Sequence, residues 1–553
     1  MIVLGLSGAT QHDPAACLVI DGKIIAMAEE ERLIRIKRAP NQLPVRSTMY
    51  CLHEAGIRLD DVDCIAASWD PALDPGEDRY RHFVTWLFNE EPFRACRRPP
   101  VEFVGHHLAH AASSFFCSGY QEAAILVVDG AGEDVSTSIG VGRGNEIRLQ
   151  QQFGISHSLG ILYAFAAEHT GLGANNEGKL MGLAAYGEPK VVLDPIRLEP
   201  DGYRIELPGV KDLPLRELWA PLYGEWSSWM TERFGPANLA AYSWNAFGSR
   251  PQRRLELPKR MMDLAASVQE ALTQSLIHLA RIATRRYNTR RLVIAGGVGL
   301  NCSANGVIRQ SGVVDELFVV PAAHDAGGAL GAAMWVAAQS GSMLAFPGPF
   351  LGPCYADSAI IDLLKSAGAR YFEPADIADY AAKLLASGRV VGWYQGRMEI
   401  GPRALGHRSI LALPDSVEVR DRVNRLKGRE MWRPLSPSVL SPAAPDLLVD
   451  SRPSPFMLSA SPTTEKAQSL IPATLHVDGT ARPQTVTPAD GIYFELIKSV
   501  QSRTGIPALL NTSFNLEDEP IVCSPRDALR TFFLSDLDAL VLGGFVIEKP
   551  TAR

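Results

Sequence analysis

The feature that most constrains the fold of this chain is an apolar segment that ends in glycine or aspartate and is followed by a helix-like segment. This pattern occurs after residues 292–295 and 317–320. A further apolar segment over 123–128 ends in Asp129-Gly130-Ala131-Gly132 and is followed by an alternating segment over 136–141. In α/β proteins a buried strand, a glycine-rich turn and a helix form one unit, and ligands bind at the carboxyl ends of the strands. We therefore predict an α/β fold in which these turns carry functional groups.

The opening of the chain predicts a strand meander. Residues 2–6, 15–20 and 23–28 are apolar, and the Asp21-Gly22 pair between the last two is typical of a hairpin turn. The N-terminus has neither a basic lead nor a small-residue cleavage site, so we expect no signal peptide. Helical patterns cover residues 44–55, 259–287, 301–310 and 326–338.

Length and composition predict two domains. A chain of 553 residues exceeds what one hydrophobic core usually serves, and a proline- and glycine-rich stretch over residues 346–354 is typical of a linker. We predict a first domain over 1–345, a linker over 346–370 and a second domain over 371–553. Within the first domain, residues 199–257 have an irregular, tryptophan-rich pattern that predicts an insertion.

Composition also argues against several function classes. The eight cysteines are scattered, with no Cys-x-x-Cys pair, which disfavours a zinc ribbon or a disulfide framework and favours reduced thiols in a cytoplasmic protein. The net charge of −7 gives no general attraction to nucleic acid or to an anionic membrane surface. No apolar run reaches the roughly 18 residues of a membrane span. We therefore expect neither a nucleic-acid partner nor a membrane partner.

A metal site is predicted from two histidines and two aspartates. His106 and His110 are four residues apart in a helical pattern, so both rings lie on one helix face. Asp129 and Asp325 follow apolar strands, where an α/β fold gathers its functional groups. This donor set fits Fe(II), Zn(II) or Mn(II) without choosing among them. The alternatives are a satisfied histidine pair, a plain turn at Asp129 and a helix N-cap at Asp325.

Glycine-rich turns predict a nucleotide site in the first domain. The turn at Gly296 and Gly297 would expose backbone N–H groups to a phosphate. Asn301 and Asn305 follow it and are candidates for contact with ribose or base. Lys179 is a candidate for a phosphate contact. The alternatives are glycines needed only for packing and a solvated lysine.

A basic segment in the second domain predicts a pocket for a polyanionic substrate. Nine basic and five acidic residues lie between Arg397 and Arg433, and glycine and proline surround Arg397 and Arg403. The guanidinium fork matches phosphate oxygens in a bidentate way. A second cluster ends an apolar strand with hydrogen-bonding side chains at Asn511, Ser513 and Asn515. The alternative is a solvated basic face.

These motifs together resemble the O-carbamoyltransferase family, which includes nodulation protein U and the cephem hydroxymethyl and tobramycin carbamoyltransferases. The resemblance covers essentially the whole chain. Besides the His106 and His110 pair, it rests on residues 5–13, 15–16, 29–32, 178–187, 296–305, 324–328, 396–409, 427–434 and 511–520.

The resemblance implies an N-terminal domain of the actin/sugar-kinase (ASKHA) superfamily joined to a C-terminal YrdC-like α/β domain. It implies an enzyme that uses ATP with Mg²⁺. Carbamoyl phosphate loses phosphate, and the carbamate attacks the α-phosphate of ATP to give carbamoyl adenylate and pyrophosphate. The carbamoyl group then passes to a hydroxyl of a small-molecule acceptor, a natural product or a sugar, as in antibiotic biosynthesis. A homo-oligomer is left open.

Site roles are implied by the matching motif positions. The resemblance assigns the adenylate-forming step to five basic residues, which are Arg397, Arg403, Lys427, Arg429 and Arg433. Their hydrogen-bonding partners are Asn511, Ser513 and Asn515. It assigns the transfer step to a metal, Fe(II) by analogy, that is held by His106, His110, Asp129 and Asp325. His12 is the implied base for the acceptor hydroxyl, and the alternative is a structural loop histidine; it follows a variable stretch over residues 8–11.

The tryptophans of the insertion are candidates for acceptor contact, because indoles stack on sugar rings and apolar scaffolds, and a buried core is the alternative. They are Trp219, Trp226, Trp229 and Trp244.

Four other functions fit the sequence less well. Synthesis of threonylcarbamoyl-adenosine in tRNA uses both domain types, but the acidic charge and the fusion of both domains disfavour it. Hydrogenase maturation would bring Cys-x-x-Cys zinc fingers. A non-catalytic ATP-binding regulator, or a simple ATPase or kinase, would not need a carbamoyl-activating site, and a kinase would release ADP rather than AMP.

Overall fold

The computed structural model describes residues 1–8, 12–73, 78–211, 215–238, 257–341 and 345–550, and it has an α/β architecture throughout. The α/β class predicted from the strand and turn pattern is therefore confirmed. Across the described helices, none has both the length and the apolar character needed to cross a membrane.

The first part of the chain builds a five-stranded sheet. Its strands are β1 (Ile2–Ser7), β2 (Ala15–Ile20), β3 (Lys23–Glu29), β4 (Cys64–Ala67) and β5 (Val101–Phe103). The helices are α1 (Glu30–Ile34), α2 (Val45–Glu54), α3 (Asp78–Asn89) and α4 (His106–Ser118). The strand order is β3-β2-β1-β4-β5, with β1 to β3 antiparallel and β4 and β5 parallel to β1. The predicted hairpin meander is confirmed.

The next part repeats the same topology. Its strands and helices are β6 (Glu122–Gly132), β7 (Val135–Arg143), β8 (Glu146–Gly154), α5 (Leu159–His169), α6 (Glu177–Ala184), β9 (Ile196–Glu199), β10 (Gly202–Ile205), α7 (Leu215–Phe234), α8 (Lys259–Arg286), β11 (Arg291–Ala295), α9 (Cys302–Gln310), β12 (Glu316–Val319) and α10 (Ala326–Gln339). The order β8-β7-β6-β11-β12 matches the first sheet strand for strand. This duplication is the arrangement expected of an actin/sugar-kinase-like domain.

Helix α10 connects the duplicated halves through close backbone contacts. A Cβ at Gly331 would lie 1.8 Å from the carbonyl oxygen of Ala109 in α4, and one at Gly5 would lie 1.9 Å from that of Ala329. The glycines therefore let α10 approach both α4 and β1, which brings the N-terminus of α10 close to that of α4.

The C-terminal half contains a seven-stranded sheet with an apolar cluster on each face. Its elements are α11 (Asp357–Ser366), α12 (Ile377–Ala386), β13 (Val391–Tyr394), β14 (Arg408–Ala412), α13 (Val417–Leu426), β15 (Ser436–Leu440), α14 (Ala444–Leu447), β16 (Ser461–Pro462), α15 (Glu465–Leu470), β17 (Thr480–Ala481), β18 (Gln484–Val486), α16 (Ile492–Thr504), β19 (Ala508–Ser513), α17 (Pro525–Phe533), β20 (Ala539–Leu542) and β21 (Phe545–Glu548). The order is β18-β15-β19-β14-β13-β20-β21. Strands β16 and β17 pair separately.

Buried polar contacts join the two halves. Arg32 is 1% exposed and donates through Nη2 to the carbonyl oxygen of Gly401 at 2.7 Å. The Gly401 N–H in turn donates to Glu29 Oε1 at 2.6 Å. Gly401 has a φ of 85°, and a Cβ there would lie 2.2 Å from the carbonyl oxygen of Pro321, so this contact requires glycine.

The tryptophan-rich region contains more regular structure than its pattern predicts, because α7 is a 20-residue helix. Trp226 and Trp229 are buried in the first core, on the same helix face as Leu218 and Leu222. The acceptor-contact hypothesis for Trp226 is thus wrong, since its side chain is fully buried. Trp219 is 45% exposed, and Trp244 lies outside the described residues.

Replacement of Trp226 by alanine is expected to destabilise the protein by about 3–5 kcal/mol, because it empties a large, fully buried site. Thermal and urea unfolding would measure this loss. Trp219→Ala on the same helix is the matched control and should change stability by less than about 1 kcal/mol. Equal stability of the two variants would contradict the core assignment.

Candidate functional site

Four predicted metal ligands converge at one buried point. His106 Nε2 lies 3.0 Å from His110 Nε2 and 3.0 Å from Asp129 Oδ2. Asp325 Oδ1 lies 3.8 Å from both imidazole nitrogens. One ligand atom from each residue lies within 4.8 Å of the others. Two imidazoles and two carboxylates at these separations fit a single divalent metal ion.

The fold positions each of these side chains. Both histidines lie in the first turns of α4, and Asp129 lies on β6. Gly132 allows β6 to pass under the imidazole, because a Cβ there would lie 2.3 Å from His106 Cδ2. Asp325 stands at the start of α10, but its side chain makes no capping hydrogen bond. Asp325 therefore occupies the N-cap position of α10, but its carboxylate lies near the two imidazoles instead of capping the helix.

The electrostatics of the cluster favour a bound cation. Burial raises the pKa of both aspartates, but the neighbouring histidines outweigh burial and hold the pKa of Asp129 and of Asp325 below the ordinary range. Burial likewise lowers the pKa of His110, while hydrogen bonds to the two carboxylates raise it to about 9. The carboxylates thus remain anionic and attract positive charge into a buried space.

A histidine, an aspartate and an arginine flank this cluster. His12 Nδ1 lies 3.0 Å from Asp13 Oδ2 and 3.7 Å from Asp325 Oδ2. Arg38 Nη2 donates to the same Asp13 oxygen at 3.0 Å. The predicted base is therefore beside the metal cluster, and its side chain is 40% exposed.

The glycine turn of the nucleotide prediction also lies against the metal cluster. Gly296 has a φ of 86°, and a Cβ there would lie 2.2 Å from the Val128 carbonyl oxygen. The Gly297 N–H donates to Asp129 Oδ1 at 2.8 Å. This contact fixes the second oxygen of the metal-facing carboxylate.

The two predicted asparagines make internal contacts. Asn301 caps α9, where its Oδ1 accepts from the Ala304 N–H at 3.0 Å. Asn305 is fully buried and donates to the carbonyl oxygens of Gly299 at 2.7 Å and Leu458 at 2.8 Å. These amides shape the turn and join it to the C-terminal half, so a nucleotide contact through them stays a prediction.

The C-terminal half gathers a cluster of cations, which we call the arginine cluster. It contains Arg403, Lys427, Arg429, Arg433 and Arg482. Burial, followed by repulsion from Arg482 and Arg433, lowers the pKa of Arg403 to about 9. Burial and repulsion from Arg482 also lower the pKa of Arg429 and of Arg433, and Glu430 opposes this effect for both residues. A cluster of closely spaced cations of this kind favours the binding of an anion.

Lys427 lies at the base of the arginine cluster. Its Nζ donates to the Ser513 carbonyl oxygen and to Asn515, at 2.8 Å to the carbonyl oxygen and 2.9 Å to Oδ1. Burial and the neighbouring Arg429 and Arg433 hold its pKa well below the ordinary range. Ser513 donates to Asn515 Oδ1 at 2.6 Å, so the predicted strand-end cluster is the floor beneath the lysine.

Three other predicted residues have protein partners of their own. Arg397 donates to the carbonyl oxygens of Ile25 at 3.0 Å and Leu351 at 2.7 Å, which places it in the junction between the halves. Lys179 pairs with Glu430 at 2.8 Å, and Glu430 also lies 3.6 Å from Arg433. Asn511 donates to Ser438 Oγ at 3.0 Å on the neighbouring strand and to the Ala404 carbonyl oxygen at 3.2 Å.

Sequence reasoning missed Arg482, Arg38 and Asp13. Arg482 donates to Ser436 Oγ at 3.0 Å and 2.9 Å through Nε and Nη2, and it repels Arg403 and Arg429. The signal available was its position before Pro483, since Arg403 also adjoins a proline. No signal within the sequence places Arg38 next to Asp13, which is 25 residues away.

One α/β chain thus carries a buried group of side chains whose spacing fits a metal ion and a separate cluster of closely spaced cations. The family description "Carbamoyltransferase N-terminus" matches residues 2–80 and 72–334, and "Carbamoyltransferase C-terminus" matches residues 382–549. The chain belongs to the carbamoyltransferase family, and it is a carbamoyltransferase.

Curated relatives agree with this assignment. Nodulation protein NolNO of Sinorhizobium fredii is 39% identical over 599 residues, covering 100% of this chain and 83% of that protein. Nodulation protein NolO of Bradyrhizobium diazoefficiens is 37% identical over 465 residues, covering 81% of this chain and 79% of that protein. Among solved structures, HypF of T. kodakarensis is 14% identical with a TM-score of 0.35, covering 62% of this chain and 48% of that chain.

The metal cluster is expected to bind about one divalent ion, and Asp325→Asn should weaken binding at least about tenfold because it removes an anionic ligand. Equilibrium dialysis against Fe(II), Mn(II) and Zn(II) would measure stoichiometry and affinity. His53→Gln, an exposed histidine away from the cluster, is the control and should bind as the unmodified protein does. Undiminished binding by Asp325→Asn would contradict the assignment.

Binding of pyrophosphate to the arginine cluster is expected to take up protons and to tighten as pH falls. Burial, Arg429, Arg433 and Lys37 lower the pKa of Lys427, and Glu519 opposes them only in part. A bound anion favours the charged form of Lys427 and therefore raises this pKa. Calorimetry in buffers of different ionisation enthalpy would count the protons.

Arg482→Gln should weaken pyrophosphate binding by about tenfold, since a charged hydrogen bond is lost. Arg425→Gln, on the exposed face of α13 in the same basic segment, serves as its control and should leave affinity unchanged. Release of protons on pyrophosphate binding would contradict the anion site. Equal affinity of the unmodified protein, Arg482→Gln and Arg425→Gln for pyrophosphate would contradict it as well.

Proposed function

We propose that the protein is an ATP-dependent O-carbamoyltransferase that moves the carbamoyl group of carbamoyl phosphate, through carbamoyl adenylate, to a hydroxyl of a small-molecule acceptor. The observation that carries this proposal is the arginine cluster, in which burial and the neighbouring Arg433 and Arg482 lower the pKa of Arg403 and of Arg429. Such a site fits a substrate with several negative charges, as ATP and carbamoyl phosphate have. A transferase that used a neutral donor would not need it.

The first proposed step joins anions and therefore needs positive charge. Water cleaves carbamoyl phosphate to carbamate and phosphate, and a carbamate oxygen then bonds to the α-phosphorus of ATP while pyrophosphate leaves. Arg403, Arg433 and Arg482 would bind the phosphate oxygens, and Lys427 would neutralise charge that builds up in the transition state. Arg429 would add positive charge next to these residues, and its Nε is held by a hydrogen bond of 2.7 Å to Asn424 Oδ1.

The second proposed step transfers the carbamoyl group in the N-terminal half. His106, His110, Asp129 and Asp325 would hold Fe(II) or another divalent metal, which supplies Lewis-acid polarisation. The acceptor oxygen bonds to the carbamoyl carbon, the carbon–oxygen bond to the phosphate breaks, and AMP leaves with the electron pair. His12 receives the hydroxyl proton.

The glycine turn and Lys179 are proposed to contact the nucleotide. The turn at Gly296 and Gly297 would approach the nucleotide phosphate, and Lys179 would contact a phosphate after release from Glu430. Arg397 lies outside the arginine cluster, so a direct role for it in adenylate formation stays a prediction. The proposed domain boundaries remain 1–345 and 371–553 with a linker between them.

The proposed acceptor is a natural product or sugar rather than tRNA, as the overall acidic charge suggests. A role in antibiotic biosynthesis belongs to this proposal, as do Mg²⁺ with ATP and a cytoplasmic location. The location is supported by the described cysteines, all of which are free thiols.

Purified, metal-loaded protein incubated with ATP, Mg²⁺ and carbamoyl phosphate is expected to form AMP and pyrophosphate only when carbamoyl phosphate is present. Nucleotide chromatography and carbamoyl-phosphate-dependent exchange of pyrophosphate into ATP would measure this step. Arg403→Gln should reduce the exchange by at least about tenfold, whereas Arg425→Gln should not. Formation of ADP alone would favour the kinase alternative.

A further inference from the structure

The contacts of Arg38 single it out among the residues around the metal cluster. It lies between α1 and α2, 26 residues beyond His12, and the sequence gives no indication of its position. Its guanidinium Nη2 lies 3.0 Å from Asp13 Oδ2 and 3.4 Å from His12 Nδ1. The three side chains therefore meet at a single carboxylate oxygen.

We propose that Arg38 is a positioning residue, which holds Asp13 and through it the His12 ring in the orientation that removes the acceptor proton. This inference rests on the proposed function, because it concerns the transfer step of the same reaction. In that step the acceptor oxygen bonds to the carbamoyl carbon, AMP leaves with the electron pair of the broken bond, and the proton goes to His12 Nε2.

Arg38 holds Asp13 by two independent contacts. The side chain donates to the carboxylate, and the backbone carbonyl oxygen of Arg38 accepts from the Asp13 N–H at 2.8 Å. Asp13 is 6% exposed and has a φ of 51°, a backbone conformation that is uncommon for a non-glycine residue. The two contacts from Arg38 restrain this residue.

Arg38 is itself fixed in place. Its N–H donates to Glu31 Oε2 at 2.7 Å, and Nη1 donates to Asn175 Oδ1 at 2.6 Å. The residue has a φ of 60°, and the following Ala39 is fully buried with a φ of 42°. An arginine anchored at both its backbone and its tip is suited to orienting a neighbour rather than to binding a mobile substrate.

The chemical consequence concerns the orientation of the His12 ring. Asp13 Oδ2 lies 3.0 Å from His12 Nδ1 and Arg38 Nη2 lies 3.4 Å from the same nitrogen, so these contacts fix that side of the ring and leave Nε2 to receive the acceptor proton. A base oriented by a carboxylate in this way is the arrangement found in catalytic triads. Arg38 holds that carboxylate in place through its guanidinium and its backbone carbonyl oxygen.

Arg38→Ala is expected to reduce carbamoyl transfer to a hydroxyl probe by at least about tenfold, since general-base catalysis contributes about 10²–10⁴-fold. The full-length, metal-loaded enzyme would be assayed with ATP, carbamoyl phosphate and glycerol, and carbamoyl glycerol would be quantified by mass spectrometry. The loss should fall on kcat, with the KM for glycerol unchanged. Exchange of pyrophosphate into ATP should stay within about twofold, because the arginine cluster is intact.

Rescue separates positioning from a merely structural role. Added guanidinium ion should restore part of the transfer in Arg38→Ala, and Arg38→Lys should retain more activity than the alanine variant. His12→Ala should lose transfer without rescue by guanidinium. Arg46→Gln, an exposed arginine that contacts the Leu33 carbonyl oxygen at 3.2 Å, is the control and should transfer as the unmodified enzyme does.

The outcomes distinguish this inference from the proposed function. Unchanged transfer in Arg38→Ala, with normal pyrophosphate exchange, would overturn the positioning role alone. A loss of transfer that neither guanidinium nor lysine relieves would also overturn it. Absence of carbamoyl-phosphate-dependent exchange in the unmodified enzyme would instead overturn the proposed function and this inference with it.

Discussion

The burial of two carboxylates, those of Asp129 and Asp325, at one point is the constraint on which the N-terminal half depends. Buried anions repel each other and lose hydration, so they need cationic or hydrogen-bonding partners. His106 and His110 supply these partners, but only because α10 approaches α4 closely at Gly331. A side chain there would collide with the α4 backbone and separate Asp325 from the histidines. The small residues of this helix pair are thus a condition for the electrostatics of the site.

The C-terminal half has the opposite electrostatic problem. Burial and repulsion from neighbouring cations, chiefly Arg433 and Arg482 or Arg429, lower the pKa of Arg403, of Lys427 and of Arg429, yet the fold holds these residues together. Cations fixed close together lower the stability of the folded protein when no ligand is bound. The same cations stabilise the negative charge of a phosphorylated ligand once it binds. One half therefore attracts a cation and the other attracts anions. That division matches a reaction in which phosphate chemistry comes first and attack by a neutral hydroxyl comes second.

Local patterns predicted the fold and part of the site well. The strand predicted over 15–20 is β2 without change, and the four-residue spacing of His106 and His110 was sufficient to place both on one helix face. Arg397 and Arg38 show the limit of this reasoning. Arg397 donates to the carbonyl oxygen of Ile25, 372 positions away, and Arg38 meets Asp13 through a loop. Sequence spacing reports neighbours within an element, whereas these partners are set by how separate elements pack.

One short segment connects the two electrostatic regions. Glu29 and Arg32 bind the backbone of Gly401, two residues before Arg403, while Arg38 at the far end of the segment binds Asp13. Because the Gly401 contact is buried and requires a left-handed backbone, the segment has little freedom to shift relative to the C-terminal half. The orientation of His12, the proposed base, is therefore tied by a few polar contacts to the half that would form the activated intermediate. In the proposed two-step reaction, such contacts would keep both sites in a fixed relation that a flexible linker alone would not provide.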